Sequence, residues 1–444
     1  MKRRCLAWVV VSAVLLLIVA VGWTASATES APVEIRFRYF AWPAHAKVAK
    51  QWVDLFNAKF MPHIKLVWDG FAGTTDDERA KYMTMLMAGA SDIDIMLCDS
   101  PWVAEFAAKG WLLPLDQFME DKEAFLAPFY EFSKSIGSHN GTQVGLPVSL
   151  DCSFLYYRTD VFNEKAVEPP ATLEELVDVA QQVNNPPDLY GLLFQGAQYE
   201  GLVCFWIELL HNLGGTIFGE SQSNSAGGIV GQRVCQLESE AAAKATQLLY
   251  DLIYSYHVSP PGTTTYTEAE VRKFFEAGGG AMAREWMDMI AEFNNPLYSQ
   301  VAGNVGVIPL PAGPAGSHSC IGGWVFAINA FTKHPEEAWI ALNFLTSIEA
   351  LKVELLTAGM TPPRSDVYAD SEVANHPIWG QYTDLLVQVA ESGIPRPLSP
   401  LWPQQSDVIQ RAIHKVFLGE MTAEEAMYWA DREIQKIEDE YKGY

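Results

Sequence analysis

Alternation and helical spacing of the apolar residues divide the chain into elements before any chemistry is considered. Residues 33–40 read VEIRFRYF, apolar and polar in turn, as in a half-buried strand. Over 46–60 the apolar positions recur at helical spacing. A strand at 64–68, a helix at 76–88 and an apolar strand at 93–98 follow, and the spacing over 102–109 predicts a helix closed by Gly110. Strand–helix alternation of this kind predicts parallel sheets with helices on their faces.

The pattern restarts after Gly145-Leu146-Pro147. A strand is expected at 153–157, and Thr172 with Glu175 forms a capping box that opens a helix running to Val183. Residues 190–195 read as a strand, and 202–213 as a helix closed by Gly214-Gly215. Long helices are expected at 239–256 and 268–275, and a strand at 305–309 before the Gly/Pro-rich stretch 311–316. The last hundred residues are mainly helical, with Thr422 and Glu425 capping the final helix. There is no internal repeat or coiled coil.

Composition narrows the function. A chain of 444 residues with 49% hydrophobic content can bury the cores of two domains. Its formal charge of −24 argues against nucleic acid and anionic membrane surfaces as partners. Lys2, Arg3 and Arg4 precede an apolar run over 6–21, and Ala25-Ser26-Ala27 offers a small-residue cleavage site. Residues 1–27 therefore read as an export signal cleaved after Ala27, leaving a periplasmic protein, with a retained anchor helix as the alternative. Cleavage removes three positive charges and no negative ones, taking the charge from −24 to −27. Cys5 precedes the apolar run, so a lipid-anchored cysteine at the cleavage point is not supported. The other cysteines, Cys98, Cys152, Cys204, Cys235 and Cys320, match no metal-ligand spacing and read as buried thiols. No metal or cofactor is expected.

Ligands of open α/β sheets sit at the carboxyl ends of strands. Asp99 follows IDIMLC, Asp151 follows GLPVSL and Trp286 follows GAMARE, while Trp324 begins the apolar run WVFAI behind Gly322-Gly323. Each Asp could serve as a turn or helix cap; ionised, each could accept hydrogen bonds from ligand hydroxyls. Of the 14 Trp, most belong to packing, as Trp52, Trp111 and Trp339 do by pattern. Trp286 and Trp324 have small or flexible neighbours and suit stacking on a sugar ring. Nucleotide-loop, nucleophile-elbow and zinc-protease motifs are absent, and the His residues are scattered. Asn140-Gly141-Thr142 matches a glycosylation sequon, though a short polar turn explains it equally.

Six stretches carry a resemblance: DIDIMLCDSPWVAEFAAKGWLLPLD (92–116), GLPVSLDCSFLYYR (145–158), QYEGLVC (198–204), SPPGTTTYTEAEVRKFFEAGGGAMAREW (259–286), GGW (322–324) and PRPLSPLWPQQSDVIQ (395–410). In this order and spacing the chain resembles the extracellular solute-binding proteins of sugar ABC importers, most closely those that take trehalose and maltose. The resemblance implies an α/β, two-lobed periplasmic-binding-protein fold, each lobe a sheet flanked by helices. A three-crossing hinge is implied near Val148, Val305 and Leu345. The lobes would then comprise 31–147 with 306–345, and 148–305 with 346–444. It implies sugar contacts for Asp99, Asp151, Trp286, Gly323 and Trp324, with Arg79, Tyr199, Glu200 and Arg396 as further contacts. His45 stands where the relatives carry an acid, and Ser149 where they carry an aromatic. The implied activity is capture of a di- or oligosaccharide by a monomer, without catalysis, and its delivery to the transmembrane subunits of an ABC permease. An exported glycoside hydrolase using Asp99 and Asp151, or the ligand-binding subunit of a sugar sensor, is the alternative.

Overall fold

The computed structural model describes residues 31–441 apart from 220–221, 224–228, 231–232 and 392. The expected export segment and Cys5 lie outside the described residues. No helix among the described residues is long and apolar enough to cross a membrane.

The alternating run at the start forms β1 (Val33–Phe40), which turns Ile35, Phe37 and Tyr39 into the core. Pro43 starts α1 (Pro43–Phe60), where its missing N–H costs nothing, and Val48, Ala49, Trp52 and Phe56 form the buried stripe. β2 (Ile64–Phe71), α2 (Thr75–Met87), β3 (Ile95–Asp99) and α3 (Ser100–Ala108) complete the first half. The short β4 (Leu146–Pro147) precedes β5 (Asp151–Arg158). Next come α4 (Leu173–Val183), opened by the Thr172–Glu175 capping box, then α5 (Glu200–Asn212), α6 (Glu240–Tyr254) and α7 (Glu268–Glu276). Four strands follow: β6 (Met282–Trp286), β7 (Val305–Ile308), β8 (Cys320–Gly322) and β9 (Trp324–Ile328). The chain ends through α8 (Pro335–Leu345), α9 (Ile348–Ala358), α10 (Trp379–Glu391), β10 (Ile394–Pro395), α11 (Trp402–Phe417) and α12 (Ala423–Glu440).

These strands make two sheets. The first runs β2-β1-β3-β9-β4; β1 is parallel to β2 and β3, while β9 is antiparallel to β3 and β4. The second runs β6-β5-β8-β10, with β7 also on β5, and every partner of β5 is antiparallel to it. The expectation of parallel sheets is thus met only by β1–β3 and by the β8–β10 pair. The strand expected at 190–195 makes only isolated bridges, Tyr190 to Gly280 and Leu193 to Ala283. Asn140 and Gly141 adopt positive φ in a tight turn, consistent with the polar-turn reading of that segment.

The chain passes from the first sheet to the second between Pro147 and Asp151. It returns at Gly323, not at Val305: β7 and β8 both pair with β5, so 306–322 stays with the second lobe. Gly323 has a φ of 158°, and a Cβ there would strike the Ser149 carbonyl oxygen, which only glycine avoids. The third passage also lies later than Leu345. α9 belongs with the first lobe, since the Trp52 indole donates to the Ala350 carbonyl at 2.8 Å and the Tyr39 hydroxyl to Glu354 at 2.5 Å. Lys352 of α9 reaches Asp370 at 3.1 Å, whereas α10 lies against β5, so the chain recrosses between these points.

A candidate ligand cavity between the sheets

The return at Gly323 brings strand ends of both sheets together. Trp324 pairs in register with Asp99 in the first sheet, and two residues earlier Gly322 pairs with Asp151 in the second. These four residues line a cavity of about 120 Å³. Several helices also begin at its wall. Thr74 caps α2, Asp99 stands at the N-cap of α3, Tyr199 at that of α5, and Glu268 is the first residue of α7.

Asp99 makes no capping bond. Its carboxylate instead takes both arms of Arg396, Nη1 at 2.9 Å and Nη2 at 2.6 Å. Asp99 ends β3 of the first sheet and Arg396 follows β10 of the second, so this buried, bidentate pair spans the lobes. Burial pushes the Asp99 carboxyl up, and Arg396 opposes that shift. Glu200 holds Arg396 from the other side at 3.1 Å; its carboxylate also accepts the Trp402 indole N–H at 2.8 Å and the Ser406 hydroxyl. Its oxygens are engaged by protein donors, which makes Glu200 a positioning group for Arg396.

Asp151 has a different environment. Burial, with Asp288 and Asp99 nearby, pushes its carboxyl up to about 7, partly offset by the Ser149 hydroxyl and Arg396. Burial also raises Asp288, and Arg272, which reaches Asp288 at 3.3 Å and Glu285 at 3.4 Å, counters it.

The aromatic walls are supported from behind. Trp324, 9% exposed, meets Phe40 edge-on at 4.8 Å and Trp102 at 5.9 Å. Trp286 has the Arg284 guanidinium 4.1 Å from its ring centre, and its indole N–H donates to Glu268 at 3.4 Å. Arg284 is itself fixed by the fully buried Glu208. His45 lines the cavity, 5% exposed, and neither ring nitrogen has a hydrogen-bond partner. Burial pushes its pKa down to about 3, so the imidazole is neutral at physiological pH.

Eight of the ten candidates read from the sequence thus meet here: His45, Asp99, Asp151, Tyr199, Glu200, Trp286, Trp324 and Arg396. Two do not. Arg79 lies outside the wall, its guanidinium held by Glu105 at 2.7 Å and 2.9 Å. Gly323 is not among the lining residues; a Cβ there would meet the Ser149 carbonyl oxygen, and its neighbour Gly322 lines the cavity, against Arg396. Ser149 is fully buried and accepts the Trp324 N–H at 3.1 Å. Sequence reasoning missed Phe40, Trp42, Glu268, Arg272, Asp288 and Met360. Glu268 and Arg272 stand four apart on α7, a spacing that could have flagged them as one helical face. The five cysteines expected as thiols are free and buried.

Two lobes joined by repeated crossings, with a polar and aromatic cavity where strand and helix ends converge, define a two-lobed α/β binding protein. The family model for bacterial extracellular solute-binding proteins matches residues 42–352, and the chain belongs to that family. Its members bind solutes rather than transform them. Among similar solved structures, maltose-bound MalE3 of T. maritima is 31% identical, with a TM-score of 0.81 over 91% of this chain and 100% of that one. An ABC transporter solute-binding protein from Thermotoga lettingae, bound with α-D-tagatose, is 26% identical, with a TM-score of 0.79 over 92% of this chain and 100% of that one. The Deinococcus radiodurans protein named "Probable ABC transporter-binding protein" is 29% identical over 377 residues, 82% of this chain and 84% of its own.

Proposed function

We propose that this protein captures a neutral carbohydrate, a di- or oligosaccharide of the maltose or trehalose kind, and presents it to the transmembrane subunits of an ABC importer. On this reading it works outside the cytoplasm as a monomer, after removal of residues 1–27. The observation that carries the proposal is the pairing of Trp324 with Asp99 and of Gly322 with Asp151 on either side of Gly323. That register sets an aromatic face beside two carboxylates contributed by different sheets. A pyranose offers the matching surfaces, apolar C–H faces for the ring and hydroxyl donors for the carboxylates. Arg396 supplies donors to hydroxyl oxygens, and Trp286 offers a second aromatic wall. The maltose in the 31%-identical T. maritima structure supports the same ligand class.

Because Asp99 already accepts two bonds from Arg396, it is poorly placed to act as the general acid of a hydrolase. Titration calorimetry of the mature chain with trehalose, maltose, sucrose, larger glucosides and polyols tests the assignment. Saturable binding of a glucoside with unchanged sugar recovered afterwards is the expected result. Binding of polyols or ketohexoses alone would redirect the assignment within the family.

A further inference from the structure

The cavity, which opens to solvent at Trp42 and Gly73, has room at its inner end for only part of the ligand class proposed above. At about 120 Å³ it falls well below the roughly 300–1,000 Å³ of sites that engulf a drug-sized ligand. A ligand with more than one ring reaches from the inner end of the cavity toward its open side. Among the described lining residues only Trp42 and Gly73 are exposed, and both belong to the first lobe, at the starts of α1 and α2.

Trp42 is 38% exposed, an unusual state for this residue type. Its ring is stacked on Phe40, with centroids 4.8 Å apart and planes 8° from parallel, so one face is backed while the side chain remains open to solvent. No side-chain hydrogen bond ties Trp42 to the helix it precedes. Four side chains of the cavity lining carry buried polar atoms without partners: His45, Thr75, Tyr199 and Arg396. His45 meets Trp42 edge-on at 5.5 Å and carries two buried ring nitrogens without partners. Thr75, in the neighbouring wall, has a buried hydroxyl without a partner. Leaving buried polar atoms unpaired is costly, and such atoms are expected where a ligand completes the set.

We infer that Trp42, with His45 and Thr75, forms an outer site that stacks the second sugar ring of the ligand as it leaves the inner end of the cavity. The inference rests on the carbohydrate reading. The inner ring lies against Trp324 and the carboxylates, and the second lies on the exposed face of Trp42. Hydroxyls of that ring meet a neutral imidazole, able to donate from one nitrogen and accept at the other, and the Thr75 hydroxyl. Trp42 thereby favours ligands of two or more rings over a single one.

Glucose, maltose and maltotriose are the probes, with affinities from calorimetry and, for weak binders, from competition. Trp42→Ala should weaken maltose and maltotriose about tenfold, in line with one aromatic stacking contact, and change glucose less than twofold. Trp42→Phe should keep most of the affinity for the longer sugars. Trp42→Leu carries the same comparison should the Ala variant fail to fold. Equal losses on all three sugars, or none on any, would overturn the outer site. Wild-type protein that binds glucose but rejects maltose and maltotriose would also overturn it while leaving the carbohydrate reading intact. Wild-type protein that binds none of the three and no other sugar would remove both.

Discussion

Replacing Asp151 by Asn should stabilise the ligand-free protein at alkaline pH and weaken its grip on sugar. The substitution keeps the side chain's shape and removes its charge. In the folded chain burial holds the Asp151 carboxyl at about 7, against an ordinary value of 3.8. A folded pKa above the unfolded one means the group stabilises the fold fully below the unfolded value, and that contribution is lost as pH rises through about 7. The full shift corresponds to roughly 4 kcal/mol well above neutrality, of which roughly 2–3 kcal/mol is lost between pH 5 and pH 8. Asp151 is partly in contact with solvent, and screening brings the expected change to about 2 kcal/mol. The groups around it are Asp288, Asp99, Arg396, Ser149 and Glu354, and the carboxylates among them outnumber the single cation.

The Asn variant has no such titration. Its melting temperature minus that of the parent should therefore grow from pH 5 to pH 8. At about 2–4 °C per kcal/mol for a lobe of this size, the growth is about 4–8 °C. Sugar affinity at pH 8 should fall by roughly 1–3 kcal/mol, because a charge-assisted acceptor has become a neutral one. Opposite signs on stability and binding mark a residue kept for function. Thermal melts at several pH values, with calorimetry at pH 8, give both numbers. A variant that melts lower than the parent at pH 8, or that tracks the parent at every pH, would refute the strained-carboxylate reasoning. Affinity within twofold of the parent would remove Asp151 from the ligand contacts.

Three further substitutions separate wall, clasp and exterior. Trp324→Ala should cost roughly 2–4 kcal/mol of sugar affinity and also lower ligand-free stability, since Trp324 packs on Phe40 and Trp102 as well as facing the cavity; normal affinity in a folded variant would exclude it as a platform. Arg396→Gln breaks the pair that joins the lobes and should enlarge the ligand-free radius of gyration in solution scattering, whereas an unchanged radius would show that other contacts hold the lobes together. Arg79→Ala should leave sugar affinity within twofold and cost at most about 1 kcal/mol of stability, because Arg79 pairs with Glu105 away from the cavity; a tenfold affinity loss by calorimetry would contradict that placement.

Local pattern carried much of the fold. The alternation of 33–40 and the Thr172–Glu175 cap depend on residues that are neighbours along the chain, and both formed at the expected positions. The failures were matters of partnership. Residues 190–195 are apolar enough for a strand but find only isolated bridges beside β6. The strand at Val305–Ile308 has the composition to join either sheet, and nothing in its own residues says that β5 is its partner. The resemblance implies a second crossing near Val305, and the pairing of β7 and β8 with β5 puts it at Gly323. Among site residues, the strand-end positions Asp99, Asp151, Trp286 and Trp324 stood out because polarity or bulk changes abruptly there. Trp42 and Asp288 carry no such local signal, and they reach the cavity only through contacts between distant segments.

The charge arrangement of the wall bears on what the cavity admits. Among the described lining residues five are carboxylic acids, Asp99, Asp151, Glu200, Glu268 and Asp288, against two arginines, Arg272 and Arg396. Such an excess would be costly in an enclosed site without further compensation. Helix ends supply part of it: Asp99, Glu200 and Glu268 stand at the starts of α3, α5 and α7, where the helix dipole favours negative charge. Helix N-termini gathered at one cavity would ordinarily invite a phosphate or a carboxylate. Here the protein's own acids already occupy them, and an anionic ligand would face carboxylates on both sheets. Acceptor capacity remains at Asp151 and Asp288, which Ser149 and Arg272 offset only in part. A ligand rich in hydroxyl donors meets that need without adding charge, which is why a neutral sugar fits this wall better than a sugar phosphate or an organic acid.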